Sequence, residues 1–267
     1  MKKILLGIGL CALGQAATAQ LVFDGFDTID PAWGTDRYEP AAFESVSDPT
    51  PRNDGNVLHL GISDADSAAN RPPQFSDVFY NTQGRQQTMT ELTGPTWSIS
   101  ADVFIDNSWD PALGNSRRTG LWSRDSTPDE NSSNYPIISF SVFDTNDPFD
   151  DDPNNVQNFQ FRLRAWDSLV GWHPLSKTAF NGFGTWNNVR IDGTGSSFDY
   201  YLNGSFLWSD TTASQPGNED LKRFFIQGYN FGLGDYDVYW DNLTVVPAPA
   251  ALSLFSIGAI GLLKRKR

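Results

Sequence analysis

The chain has 267 residues, of which 39% are hydrophobic, 13% aromatic and 19% charged. That much apolar and aromatic matter fills a core and excludes wholesale disorder, while 16 prolines and 23 glycines disfavour long helices. The formal net charge is −13, but six of the 19 basic residues lie at the two ends and all 32 acidic residues lie between Asp24 and Asp241, so the body carries −19; a body that acidic is expected to be repelled by nucleic acid, whose binding depends on basic patches that neutralise phosphates.

The chain begins as a secretory signal does. Lys2 and Lys3 precede a short apolar run from Ile4 to Leu13, and Ala17-Thr18-Ala19 fits the small-x-small cleavage pattern. Residues 1–19 are expected to be removed, leaving Gln20 first. The single cysteine, Cys11, leaves with them, so the mature chain has no disulfide and no thiol ligand or nucleophile.

Residues 20–246 read as one all-β domain. Apolar residues alternate with period two in Trp97–Val103, Phe159–Ala165 and Tyr239–Val245, the pattern of half-buried antiparallel strands. Further strands are expected at Leu21–Phe26, Val57–Ile62, Gly120–Arg124, Pro136–Phe143, Trp186–Asp192, Phe198–Leu202, Phe206–Ser209 and Phe224–Gln227. Asn203-Gly204 between Tyr200-Tyr201-Leu202 and Ser205-Phe206-Leu207 predicts a two-residue hairpin. About eleven strands without a convincing helix predict a two-sheet antiparallel sandwich or jelly roll.

The tail reads VVPAPAALSLFSIGAIGLLKRKR. Pro247 and Pro249 are expected to break the last strand. An uncharged apolar run, Ala250 to Leu263, follows, and Lys264-Arg265-Lys266-Arg267 closes the chain. Fourteen helical residues cover about 21 Å, short of a ~30 Å hydrocarbon core, and the basic end favours the cytoplasmic side. One reading is a plain C-terminal anchor. The order of parts also resembles the PEP-CTERM sorting signal of Gram-negative bacteria, in the variant with Val246, Pro247, Pro249 and Ala250-Ala251; Ala248 stands where the usual signal has Glu. The resemblance implies export, recognition of residues 247–267 by an exosortase in the inner membrane, and a place at the cell surface or in the exopolysaccharide matrix of a biofilm.

The body carries a second resemblance. GTWNNVRIDGTGSSFDYYLNGSFLWSD (184–210) is similar to a strand and hairpin of concanavalin A-like domains of the laminin-G and pentraxin type. LVFDGF (21–26) and VYWDNLTV (238–245) resemble the first and last strands of jelly-roll carbohydrate-binding modules, which lie close together. Asp241 alternates with Leu243 and Val245 and so is expected to point inward, where an unpaired carboxylate costs several kcal/mol. By the resemblance, Asp241 would hold a structural Ca²⁺ with Asp24 and Asp27; the other reading has Asp241 accepting backbone N–H bonds. The acidic run Asp144, Asp147, Asp150, Asp151 and Asp152 lacks the glycine and terminal glutamate of an EF-hand loop and reads better as solvated than as a Ca²⁺ loop.

Arg162, Arg164 and Trp166 alternate with Phe161, Leu163 and Ala165, so they share one face of a strand, with Trp172 in the next segment. Such a face could grip a polysaccharide through ring stacking and guanidinium contacts, or could be a Trp packed under a loop with Arg paired to Asp. Catalytic patterns are scarce. None of the five glutamates forms the Glu-x-Asp-x-Glu strand of β-glucanases of this fold, and FFIQGYN (224–230) matches one alginate-lyase strand without the companion Gln-x-His strand. His59 and His173 read as structural, and no phosphate loop or nucleophile elbow is present. The leading expectation is a secreted, non-catalytic, carbohydrate-binding jelly roll rather than an enzyme. The alternatives are a glycan hydrolase or lyase with an unfamiliar carboxylate pair, or a purely structural surface protein.

Overall fold

The structure is a computed structural model that describes residues 22–91, 93–127, 129–143, 159–167, 169–211 and 220–247. The signal segment 1–19, the acidic run 144–152, Pro249 and the apolar tail lie outside the described residues. In chain order the strands are β1 (Val22–Asp24), β2 (Gly34–Thr35), β3 (Ala42–Ser47), β4 (Asn56–Ile62), β5 (Thr82–Thr88), β6 (Thr96–Ile105), β7 (Arg117–Ser126) and β8 (Ser133–Asn134). They continue with β9 (Ile137–Phe143), β10 (Gln160–Asp167), β11 (Gly171–Pro174), β12 (Thr185–Thr194), β13 (Phe198–Leu202), β14 (Ser205–Asp210), β15 (Asp220–Tyr229) and β16 (Tyr236–Pro247).

They form two antiparallel sheets. One runs β14-β13-β12-β6-β16-β4-β3 with β1 on β16; the other runs β11-β10-β9-β7-β15-β5-β2 with β8 on β7. The chain crosses between sheets repeatedly, which makes the body a two-sheet jelly roll, as the period-two runs predict. Among the described residues the helical pieces are 3-10 turns of three or four residues, none long and apolar enough to cross a membrane.

The core lies between the sheets because alternate residues of each strand face the other sheet. On β6, Trp97, Ile99, Ala101 and Val103 are fully buried; on β12 so are Val189 and Ile191, and on β16 Val238, Trp240, Leu243 and Val245. Facing them are Leu121, Ile138, Phe140, Val142, Phe224 and Ile226 of the second sheet. Each such side chain contributes about 1.5–3 kcal/mol by leaving water.

The hairpin at Asn203-Gly204 forms as expected, with both residues at positive φ (49° and 77°), the backbone a two-residue turn needs. β1 does lie beside β16, with Asp24 opposite Leu243. Pro247 departs from expectation: it does not end the strand before it but is its last residue, opposite Trp97. A strand terminus tolerates proline because little ladder remains for its missing N–H to donate to. β3 and β5 are additions that the hydrophobic pattern did not announce. β5 reads TQGRQQT, almost wholly polar, and it borders the site.

Candidate functional site

The second sheet has a core face and an outer face. On β7, Leu121, Ser123 and Asp125 turn inward, while Arg118, Gly120, Trp122 and Arg124 belong to the outer set. On β15, Phe224 and Ile226 turn inward, and Arg223, Phe225, Gln227 and Tyr229 alternate with them. Strand register then joins these sets into rows. Trp172 is opposite Trp166, Trp166 opposite Ile137, Ile137 opposite Trp122, Trp122 opposite Phe225, and Phe225 opposite Gln86. This row crosses six strands, about 24 Å at the usual ~4.8 Å strand spacing. In the next row, Ser139, Gly120, Gln227 and Gly84, the side chains are short or absent except at Gln227, which reaches Asp36 and Arg37. A Cβ on Gly120 would stand 3.1 Å from the Trp122 indole nitrogen, so the low floor is needed to seat that ring.

Loops raise walls beside the aromatic row and close a groove of about 630 Å³. Val78 and Phe79 come from a 3-10 turn, Asp36 and Arg37 from the segment after β2, and Tyr135 from the segment after β8. The rings pack edge to face: Trp166 and Trp172 have centroids 5.1 Å apart at 70°. Lining side chains carry four arginines (Arg37, Arg118, Arg124 and Arg223) against one carboxylate, Asp36. In a chain of net charge −13 the groove is therefore locally positive.

Neighbouring side chains position each arginine. Arg37 bonds Asp36 at 2.5 Å and Gln227 at 3.3 Å, and its guanidinium lies 4.5 Å from the Phe79 ring. Gln227 in turn donates to Asp36 at 2.6 Å. The Arg118 guanidinium stacks 4.3 Å from Trp172. Arg124 and Arg223 face each other across β7 and β15, and Glu130 reaches both, at 2.5 Å and 3.6 Å. Beneath the groove floor, Tyr236 of the first sheet crosses the core. Its hydroxyl accepts from the Tyr229 N–H at 3.0 Å and aims its proton at the carbonyls of Tyr229 (2.6 Å) and Arg118 (2.9 Å). Burial pushes that phenol well above its ordinary value, so it stays neutral and keeps its proton.

Of the residues singled out from sequence, Trp166 and Trp172 line the groove. Arg162 and Arg164 do not. Arg164 is 3% exposed and packs its guanidinium 4.7 Å from Trp172 and 5.0 Å from Phe143, and Arg162 lies 4.9 Å from the Phe143 ring. They sit against these rings instead of projecting, because strand neighbours cover them. The more numerous groove residues on β7 and β15 were missed, although RTGLWSR (118–124) alternates Arg, Gly, Trp, Arg. That spacing was the available signal.

The expected metal trio is not brought together. Asp24 accepts from the Phe26 N–H and the Trp33 indole, and Asp27 is exposed. Asp241 pairs with Arg52 and accepts from the Asn242 N–H. Among the described residues no group of three or more His, Cys, Asp or Glu side chains is placed to hold a metal. The expectation of Ca²⁺ thus loses the residue set on which it rested. The physical reason is that Arg52, 3.9 Å over the Trp186 ring, already supplies the cation that the buried carboxylate needs. Burial still leaves the Asp241 carboxyl above its ordinary value, with Arg52 pulling it down and Asp102 pushing it up.

No protein family profile matches the chain, and no curated protein matches it. Solved structures do. A carbohydrate esterase from Shiga toxin-encoding bacteriophage phi24B superposes with a TM-score of 0.52 at 10% identity, covering 86% of this chain and 99% of that one. A Bacteroides ovatus GH16 protein for mixed linkage glucan, in complex with product, gives 0.49 at 9% identity over 84% and 99% of the two chains. A Bacillus licheniformis β-glucanase gives 0.45 at 10% identity over 87% and 100%. At such identities the likeness is one of fold. It nonetheless corrects the expectation that this protein is not an enzyme. The fold is shared, over 86% of this chain, with a carbohydrate esterase. The missing Glu-x-Asp-x-Glu strand is therefore no ground for a non-catalytic reading: fold and reaction are separable, and other chemistries occupy the same scaffold.

Proposed function

We propose that the protein is an exported carbohydrate-active enzyme that lays a polysaccharide across the second sheet and cleaves it there, as a hydrolase or lyase. The observation that carries this reading is the aromatic row Trp172, Trp166, Trp122 and Phe225, aligned by strand register along a groove walled by arginines. Sugar rings have apolar faces that stack on indoles and polar rims that accept from guanidinium groups. A row about six strands long suits a chain of several sugars, whereas a compact metabolite would need a closed cavity. The structural neighbours, several of which act on carbohydrate, support the same class of ligand.

Export through cleavage after Ala19 and sorting by an exosortase-type protease through Val246, Pro247 and Pro249 belong to this proposal, supported by the order of motifs at the two ends. Because Pro247 completes β16, a tail deletion that spares the fold begins at residue 248.

The test is product release. The full chain is incubated with neutral glucans, xylan and polyuronates, and reducing or unsaturated ends are counted. Wild type is expected to release products from one class, and Trp122→Ala to reduce the rate at least about tenfold, equivalent to ~1.4 kcal/mol. Absence of both product and binding across the panel would overturn the reading.

A further inference from the structure

Resting on that reading, we propose that the polysaccharide is a polyuronate and that Glu130 occupies, in the free protein, the place where one of its carboxylates binds. Within the groove Arg37 is matched by Asp36. Arg124 and Arg223 instead share the single carboxylate of Glu130, so this end of the groove holds one more cation than anion, which a neutral glycan does not need.

Arg124 and Arg223 are direct cross-strand partners, and like charges directly opposite each other destabilise a sheet. The fold tolerates the pair through Glu130, whose carboxylate lies 2.5 Å from Arg124 and 3.6 Å from Arg223. Glu130 comes from a turn between β7 and β8, has a positive φ of 56°, and its side chain is 39% exposed. An exposed ion pair on a turn is weak, so its carboxylate can leave. What it leaves behind is two guanidinium groups facing a carboxylate-sized place. That place is one pleat repeat, about 7 Å, from the aromatic row, because Arg124 follows Trp122 by two residues and Arg223 precedes Phe225 by two. A uronate stacked on Trp122 and Phe225 puts its carboxylate within reach of that pair, and Arg forks bind carboxylates in bidentate fashion.

Substitutions at Glu130 and at the two arginines are expected to move affinity in opposite directions, which a purely structural role for these residues would not do. Calorimetry on the full chain uses oligomers of alginate, polygalacturonate, a sulfated galactan and cellulose of matched length. Wild type is expected to bind at least one of the two polyuronates at least tenfold more tightly than the cello-oligomer, with affinity falling as salt rises. Glu130→Gln should bind that polyuronate several-fold more tightly. Arg124→Gln and Arg223→Gln should each weaken it tenfold or more, a larger loss than either causes for the cello-oligomer. Circular dichroism and thermal melting check that each variant is folded, and Arg124→Lys, which keeps the charge but not the fork, should fall between. Tighter binding of cello-oligomer than of either polyuronate overturns this inference and leaves the groove's reading standing. Binding of the sulfated polymer alone, or unchanged affinity in Glu130→Gln, also overturns it. Binding of none of the four overturns both.

Discussion

Arg52 and Asp241 illustrate how single residues are decided by neighbours that the linear pattern does not reveal. Alternation with Leu243 and Val245 predicts Asp241 inward, but a bulge, with Asn242 at a φ of 52°, shifts the register: Trp240 takes the core position, and Asp241, beside Asp102, is buried on the outer face. Its cation lies 189 positions away in sequence, in a loop that no periodicity marks. Arg52 also comes within salt-bridge range of Asp48 and Asp102, so one guanidinium balances three carboxylates. Removing it should be much worse than removing Asp241. We expect Arg52→Ala to cost about 2–4 kcal/mol in urea unfolding, because it leaves buried carboxylates without a counter-charge and uncovers Trp186. Asp241→Asn should cost under ~1 kcal/mol, since burial already disfavours its charge. Equal losses for the two variants would refute this account of the cluster. His59 makes a second residue-scale case. Its bond to Asp237 raises its pKa above 6.5, opposed by burial and helped by Glu44, while the same bond lowers Asp237. A raised histidine adds stability that is complete below pH 6.5 and is lost as pH climbs through the folded value. The lowered Asp237 adds stability present above its ordinary 3.8 and lost as pH falls through its folded value. Melting temperatures of wild type and Asp237→Asn should therefore differ most between about pH 4 and 6.5 and converge at alkaline pH.

At the scale of elements, the strands that a sequence reader finds are those whose two faces differ in polarity. β6 and β12 alternate over most of their length, because one face meets the core and the other meets water or a polar wall, whereas a bulge after Asp241 breaks the alternation of β16. β5 was hidden because its inward positions are Gln83 and Arg85 rather than aliphatic residues. The site suffered for the same reason. A groove is a property of register between strands distant in sequence, and Trp166 meets Trp122 only through Ile137 of β9. Only half of the chosen face, Trp166 and Trp172, reaches the groove. Tyr236 ties these elements together, joining β16 of one sheet to β7 and β15 of the other under the groove floor. Tyr236→Phe strands the buried Tyr229 N–H and should cost about 1–3 kcal/mol. It should also weaken glycan binding, since Arg118 and Tyr229 both lose their anchor. Full stability in that variant would show that the hydroxyl does not hold the two strands.

For the whole molecule, charge is distributed by function more than by fold. The first sheet and the loops carry the acidic excess, whereas the groove gathers arginine around aromatic rings. That division was partly legible: the −19 body and the aromatic content are plain in the sequence, but the face that collects the arginines becomes visible only once the strands pair. The same division makes one measurement decisive for the central claim that this groove is the polysaccharide site. Isothermal titration of the full chain with polyuronate oligomers should give saturable binding in wild type. In Trp122→Ala the affinity should fall at least tenfold, with a melting temperature within a few degrees of wild type. Binding that survives Trp122→Ala undiminished would place the glycan elsewhere on the molecule and contradict the account.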